Sequence, residues 1–306
     1  MTEELLLDTT LDILENNSSE AAYEYLKAQC QNISCKTSQV YNFLYCLAAV
    51  SGSQEEALGW IEEAILEKGF WYRPSVWEDD DLASLWNDPR FTACRKISDS
   101  RFVDAESGAH TLCTWQKATQ PRLALTLHGN QQNMQHSRAA WQPLAHLGWQ
   151  VEQVQSKTLD SYDLYRWEDG GDGGQQLCHA IAQIPHWSQY QRRMLCGFSA
   201  GCGVILDALA LDNFACEELL LMAPWIPAIE KRGPQIMELL KLRGIRPIVL
   251  CGDKDKDCLP LAQLIAQQAE EAGVSLRLYV LPGLGHCFPS DFEVLLPKLL
   301  KKDDSL

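Results

Sequence analysis

Gly197-Phe198-Ser199-Ala200-Gly201 has the form G-x-S-x-G. A serine flanked by glycines on a tight strand-to-helix turn suits nucleophilic attack, because small neighbours let the backbone reverse and leave the hydroxyl exposed. The apolar run Met194-Leu195-Cys196 precedes it, and a helical stretch rich in small residues, 200–211, follows. The competing reading is a glycine-rich turn that serves only packing. Chemistry at Ser199 would further need a base, a group to orient that base, and donors for a developing oxyanion.

Candidates for each stand immediately after apolar runs. His286 closes Leu281-Pro282-Gly283-Leu284-Gly285-His286, a glycine-containing loop that can bring an imidazole to a serine hydroxyl and a carboxylate. An ordinary histidine titrates near pH 6.5, which suits a general base at neutral pH. The run 246–251 enters Gly252-Asp253-Lys254-Asp255-Lys256-Asp257. A carboxylate just past a strand end lies in the crevice at the carboxyl edge of a parallel sheet, and three alternating acids leave the choice among them open. His128-Gly129-Asn130 follows the run 122–127; the backbone N–H groups of Asn130 and Ala200 are the expected oxyanion donors. His128, Gln131 and Trp225 are expected at the substrate. Each has a plainer alternative: His128 fixing its loop, Gln131 with Gln132 and Asn133 in a solvated loop, and Trp225 anchoring a helix.

These residues need a scaffold that brings strand ends to one edge. Short apolar runs at 122–127, 149–154, 193–197, 218–222, 246–251 and 276–281 read as strands. Helical patterns near 137–147, 173–184, 200–211, 229–242, 260–272 and 290–300 separate them. Alternation of buried strands with helices predicts an α/β fold, a mostly parallel sheet covered on both faces. The segment 101–115 is expected to add an antiparallel edge strand.

The first hundred residues differ. Apolar residues recur there at three- and four-residue spacing without strand-like alternation, which predicts helices near 3–15, 18–31, 38–50 and 54–68. Ser18-Ser19-Glu20 and Ser53-Gln54-Glu55 supply caps, and Gly69 can close the fourth helix. Ala57–Gly69 followed by Asp80-Asp81-Leu82-Ala83-Ser84-Leu85-Trp86-Asn87-Asp88-Pro89-Arg90-Phe91 resembles degenerate terminal tetratricopeptide-type repeats, with that family's full signature incomplete. The expected division is a helical domain over 1–100 and a catalytic domain over 101–306. Trp60, Phe70, Trp71, Tyr72, Trp77 and Trp86 are expected at a contact between the two.

Residues from about 105 to 306 resemble an α/β-hydrolase, most similar to compact esterases of the phospholipase/carboxylesterase and dienelactone-hydrolase type. The matching motifs are Leu127-His128-Gly129, Gly197-Phe198-Ser199-Ala200-Gly201, Gly252-Asp253-Lys254-Asp255 and Gly285-His286-Cys287-Phe288-Pro289, in the order serine, acid, histidine. The family's acid usually stands three residues after the glycine. The resemblance therefore implies Asp255, with Asp257 the second choice because Pro260 stands one position later than in the common pattern. It further implies a Ser199-His286-Asp255 triad that hydrolyses a carboxylic ester through an acyl-enzyme, with no metal or organic cofactor. The same residues suit a thioesterase or peptidase. A different class of function is a silent hydrolase fold whose helical domain recruits a protein partner or a second copy.

Composition narrows the classes. The chain has 306 residues and a net charge of −15, so the basic footprint of a nucleic-acid binder is missing. Residues 1–115 carry eight basic and twenty acidic residues, so most of the excess acidity lies in the helical part. No apolar stretch reaches the roughly 18 residues of a membrane span, and the acidic start Met1-Thr2-Glu3-Glu4 is unlike a signal peptide. A cytoplasmic location and a small acyl substrate are expected. The twelve cysteines lack paired zinc spacings and read as mostly buried free thiols. Cys202, Cys258 and Cys287 fall close to the motifs, where a redox-sensitive site is the sharper alternative.

Overall fold

The computed structural model describes residues 2–33, 36–115, 119–167, 172–185 and 187–301. The chain divides into two compact units, one of Met1–Ala109 with Thr158–Tyr165 and one of His110–Lys157 with Arg166–Leu306.

The first unit is built from α1 (Glu3–Asn16), α2 (Ser19–Gln29), α3 (Ser38–Val50), α4 (Gln54–Glu62) and α5 (Pro89–Ser107). The capping signals act as read at Ser18, whose hydroxyl accepts the Ala21 N–H at 3.2 Å, while Ser53 makes no side-chain cap. After α4 the chain widens into a π-turn, Glu63–Glu67, and then makes two 3-10 turns, Pro74–Glu78 and Asp80–Leu85. Helix α5 runs through the expected boundary at residue 100 to Ser107, so the edge strand expected over 101–115 shrinks to Leu112–Cys113.

A short hairpin, Leu159–Ser161 with Leu164–Tyr165, also belongs to this unit. Arg73 donates its backbone N–H to the Asp160 carbonyl and its Nε–H to Asp160 Oδ1, both at 3.0 Å, and the Ser38 and Ser161 hydroxyls are 2.9 Å apart. Tyr72 and Trp77 are buried in the unit's own core, where Trp77 stacks on Tyr45 and meets Tyr72 and Phe91 edge-on. Trp86 is 42% exposed.

The second unit holds β1 (Leu112–Cys113), β2 (Arg122–Leu127), β3 (Gln150–Gln155), β6 (Arg192–Phe198), β7 (Glu218–Met222), β8 (Arg246–Gly252) and β9 (Arg277–Leu281), the hairpin strands being β4 and β5. Its helices are α6 (Met134–Trp141), α7 (Pro143–His146), α8 (Asp172–Ala182), α9 (Ala200–Leu211), α10 (Ile229–Arg243), α11 (Cys258–Ala272) and α12 (Phe292–Leu299). The sheet order is β1-β3-β2-β6-β7-β8-β9, with β1 antiparallel to β3 and every other pair parallel.

Alternate residues of the strands face opposite cores, as a sheet covered on both faces requires. Leu125, Leu195, Leu221 and Val249 pack with α8 to α11, whereas Ala124, Cys196, Leu220 and Leu250 pack with α6, α7 and α12. The register runs Leu127, Gly197, Leu221, Val249, Leu278 across neighbouring strands. Strands β2, β6, β8 and β9 therefore end along one sheet edge, and the loop after each delivers one of the candidate residues. This is the α/β-hydrolase fold, with a helical region preceding it in sequence. Among the described residues no helix is long and apolar enough to cross a membrane, and the described cysteines are all free thiols.

Candidate active site

Ser199 stands between β6 and α9 with φ 50 and ψ −122, a left-handed backbone conformation that a residue with a Cβ adopts only at a cost. Three backbone bonds hold it there. Its N–H donates to the Met222 carbonyl at 3.0 Å, and its carbonyl accepts from Cys202 at 3.0 Å and Trp225 at 3.2 Å. The flanking glycines are required by close approach: a Cβ on Gly197 would lie 2.8 Å from the Cys202 nitrogen, and one on Gly201 2.6 Å from the His128 carbonyl oxygen.

His286 and Asp255 meet. Nδ1 of His286 lies 2.7 Å from Asp255 Oδ2, and the other carboxylate oxygen accepts the Cys258 N–H at 3.0 Å. Asp255 is buried, yet its carboxyl is held below the ordinary carboxylate range. Burial alone would raise it, and the hydrogen bond and charge of His286, with the Cys258 N–H, outweigh that. Of the three neighbouring acids, the bend of the loop after β8 brings Asp255 to His286. Asp253 is exposed and accepts the Gly283 N–H at 2.7 Å, and Asp257 is exposed at the start of α11.

The histidine loop is less free than its glycines suggest. Asp253 and Lys254 donate their N–H groups to the Leu281 and Leu284 carbonyls at 3.0 and 2.9 Å. A Cβ on Gly252 would stand 2.0 Å from the Leu284 oxygen, so the two loops lie backbone against backbone. The imidazole also packs on Phe198, the residue before Ser199, with ring centroids 5.0 Å apart.

The loop after β2 reaches the same place: the nearest atoms to a Cβ on Gly129 would be the Phe198 ring and Ser199 Cβ. Ala200 is the first residue of α9, where the helix dipole adds to its N–H. Among the described residues neither its N–H nor that of Asn130 has a hydrogen-bond acceptor.

His128, expected at the substrate, is instead wholly buried and holds the loop. Its Nε2 accepts the Ser156 N–H at 3.1 Å, which leaves Nδ1 to donate to the Gly129 carbonyl at 2.6 Å. Burial pushes its pKa down to about 4. Gln132 and Asn133 are likewise structural, Gln132 accepting the Gly129 N–H at 2.9 Å and Asn133 capping α6. Gln131 is half-buried with φ 59. Trp225 lines a cavity of about 100 Å³ with Trp167, Ala200, Val204 and Ile226.

Two further side chains stand here: Trp167, with no motif signal, and Cys258, noted in the sequence only for its nearness to a motif. Trp167 stacks on His128 at 4.9 Å, donates its indole N–H to the His128 carbonyl and its backbone N–H to Asn130 Oδ1, both at 2.8 Å. Cys258 is buried with Sγ 3.6 Å from His286 Nδ1, and burial, then the Asp255 charge, raise its thiol far above the usual range.

Residues 2–106, about a third of the chain, match the family model of the A/B hydrolase-like N-terminal domain. No curated protein matches the chain. Among solved structures, an uncharacterized protein from Bacillus cereus ATCC 10987 is 29% identical, with 98% of each chain covered and a TM-score of 0.56. A carboxylesterase structure from Nitrososphaera gargenis follows at 11% identity, 62% of this chain, 93% of that one and TM-score 0.48. Acyl-protein thioesterase 2 of Zea mays has 15% identity, 63% of this chain, 100% of that one and TM-score 0.44. This chain thus joins an N-terminal helical region similar to the A/B hydrolase-like N-terminal domain to an α/β-hydrolase fold.

Proposed function

We propose that the protein is a serine hydrolase acting on a carboxylic ester of a small molecule. The observation that carries this reading is that loops leaving one sheet edge hold both a serine in a strained left-handed turn and a buried carboxylate bonded to an imidazole at 2.7 Å. Strain of that kind persists where the surroundings over-determine it, and such places are commonly functional.

In this reading Asp255 keeps the proton of His286 on Nδ1, so Nε2 presents its lone pair and takes the proton of Ser199 as the hydroxyl attacks the carbonyl. The Ala200 and Asn130 N–H groups receive the oxyanion. His286 then protonates the leaving alcohol, and water, activated by the same imidazole, releases the acid and restores Ser199. Trp225 and the cavity beside Ala200 take the acyl group, and Gln131 contacts substrate. The helical region, with its tetratricopeptide-like pattern, is the part available to a protein partner or a second copy, and the protein works in the cytoplasm.

A fluorophosphonate probe tests the reading. Stoichiometric labelling located at Ser199, absent in Ser199→Ala, is the expected result. Folded protein that takes no label at Ser199 sinks the proposal and turns attention to partner binding by the helical region. A matched set of ester, thioester and amide substrates then separates an esterase from a thioesterase or peptidase.

A further inference from the structure

Asp255, Cys258 and His286 each offer one ligand-type atom, and these three atoms lie within 4.8 Å of one another. Cys258 Sγ is 3.6 Å from His286 Nδ1, which is 2.7 Å from Asp255 Oδ2. Thiolate, imidazole and carboxylate together form a zinc donor set, softer than any site for magnesium or calcium. With Zn–S about 2.3 Å and Zn–N and Zn–O about 2.0 Å in a tetrahedron, the sulfur-to-nitrogen edge is about 3.5 Å and the nitrogen-to-oxygen edge about 3.3 Å. The first edge already has that length. The second opens by roughly 0.6 Å when the Nδ1 proton between the two atoms is replaced by a cation.

The thiol adds nothing that the proposed triad requires. Asp255 has His286 on one oxygen and the Cys258 N–H on the other, so a serine, alanine or valine at 258 would complete the same backbone bond. Asp255 and Cys258 are buried, whereas the His286 side chain is 37% exposed.

We propose that Asp255, Cys258 and His286 form an inhibitory site for a thiophilic divalent cation, of which Zn²⁺ is the type. The inhibition rests on the serine-hydrolase reading; the binding does not. In the working tautomer the ring proton sits on Nδ1 and the lone pair on Nε2. A cation held by Nδ1 takes the lone pair there, so the ring proton moves to Nε2, and the Cys258 thiol releases its proton to solvent as it becomes a ligand. An Nε2 that carries a proton cannot accept one from Ser199, and attack stops. Removing the cation returns the proton to Nδ1 and restores the base.

Reduced, metal-free full-length protein titrated with Co²⁺ tests the site. A thiolate-to-cobalt charge-transfer band that saturates at one equivalent and is displaced by Zn²⁺ is expected, and both Cys258→Ser and Cys258→Ala should lose it. In the same samples one equivalent of Zn²⁺ should lower fluorophosphonate labelling of Ser199 at least tenfold, with recovery on chelation. Zn²⁺ should leave the labelling of Cys258→Ser at that variant's own metal-free level. Folded wild-type protein without the band, or a band of full intensity in both variants, overturns the proposal. A Cys258-dependent band in metal-free protein that never labels at Ser199 leaves the cation site standing and removes the hydrolase reading instead.

Discussion

Gly201 stands so close to His128 that a Cβ on it would lie 2.6 Å from the His128 carbonyl oxygen. The start of α9 and the loop after β2 are thereby locked together, and with them the Ala200 and Asn130 N–H groups. Gly201→Ala must push the two apart. We expect a loss of about 1–3 kcal/mol from overpacking and a fall in kcat of about 100-fold, the scale of losing one oxyanion donor. Because the change weakens transition-state contacts, KM should move little. Steady-state kinetics beside urea unfolding checks this, and an alanine variant with unchanged kcat would refute the assignment of Asn130 and Ala200.

The strain at Ser199 makes an opposite prediction. At φ 50 and ψ −122 any Cβ is unfavourable, and glycine is not. Ser199→Gly should therefore unfold about 1 kcal/mol later than Ser199→Ala, although neither variant turns over. Equal stabilities would mean that the surroundings hold the turn without strain.

How far such features were legible depends on how local their cause is. Strands β2 and β7 match the apolar runs at 122–127 and 218–222 residue for residue, because a strand buried on both faces has to be apolar along its length. Helix α5 has no counterpart among the helices read from the sequence: its buried residues Phe91, Cys94, Ser98 and Phe102 are spread thinly among charged ones, and one of them is polar. The hairpin around Asp160 has strands of two and three residues, too short to show any period, and its place is set by bonds to Arg73 and Ser38, far away in sequence. In the site, Ser199 and His286 were visible from motifs. The separation of Asp255 from Asp253 and Asp257 required the loop's three-dimensional bend, and the service of Trp167 to His128 and Asn130 had no local signal at all.

That bend supplies a third prediction. Asp255→Asn keeps the shape of the side chain but removes the charge beside His286 and favours the wrong tautomer, so kcat should fall by roughly four orders of magnitude. Asp257→Asn, at an exposed position, should stay within about twofold of wild type. A larger loss at Asp257 than at Asp255 would reverse the assignment. Measuring both variants at several pH values separates a lost orienting group from a shifted optimum.

His128 adds a pH dependence of stability that is independent of catalysis. Buried and neutral in the fold, it has a pKa of about 4, whereas an unfolded histidine titrates near 6.5. Between those values the unfolded chain binds a proton that the native chain refuses, so stability rises with pH across that window. The contribution is complete above pH 6.5 and is lost as the pH falls toward 4, on the order of 3 kcal/mol over the whole interval. The bonds to Ser156 and Gly129 fix the neutral tautomer, and nearby His136 further disfavours a charged ring. In His128→Asn, which cannot titrate, the difference in unfolding free energy between pH 7 and pH 4.5 should shrink by about 2–3 kcal/mol relative to wild type. Chemical denaturation at the two pH values provides the measurement, and an identical pH dependence in both proteins would show that His128 is not the group responsible.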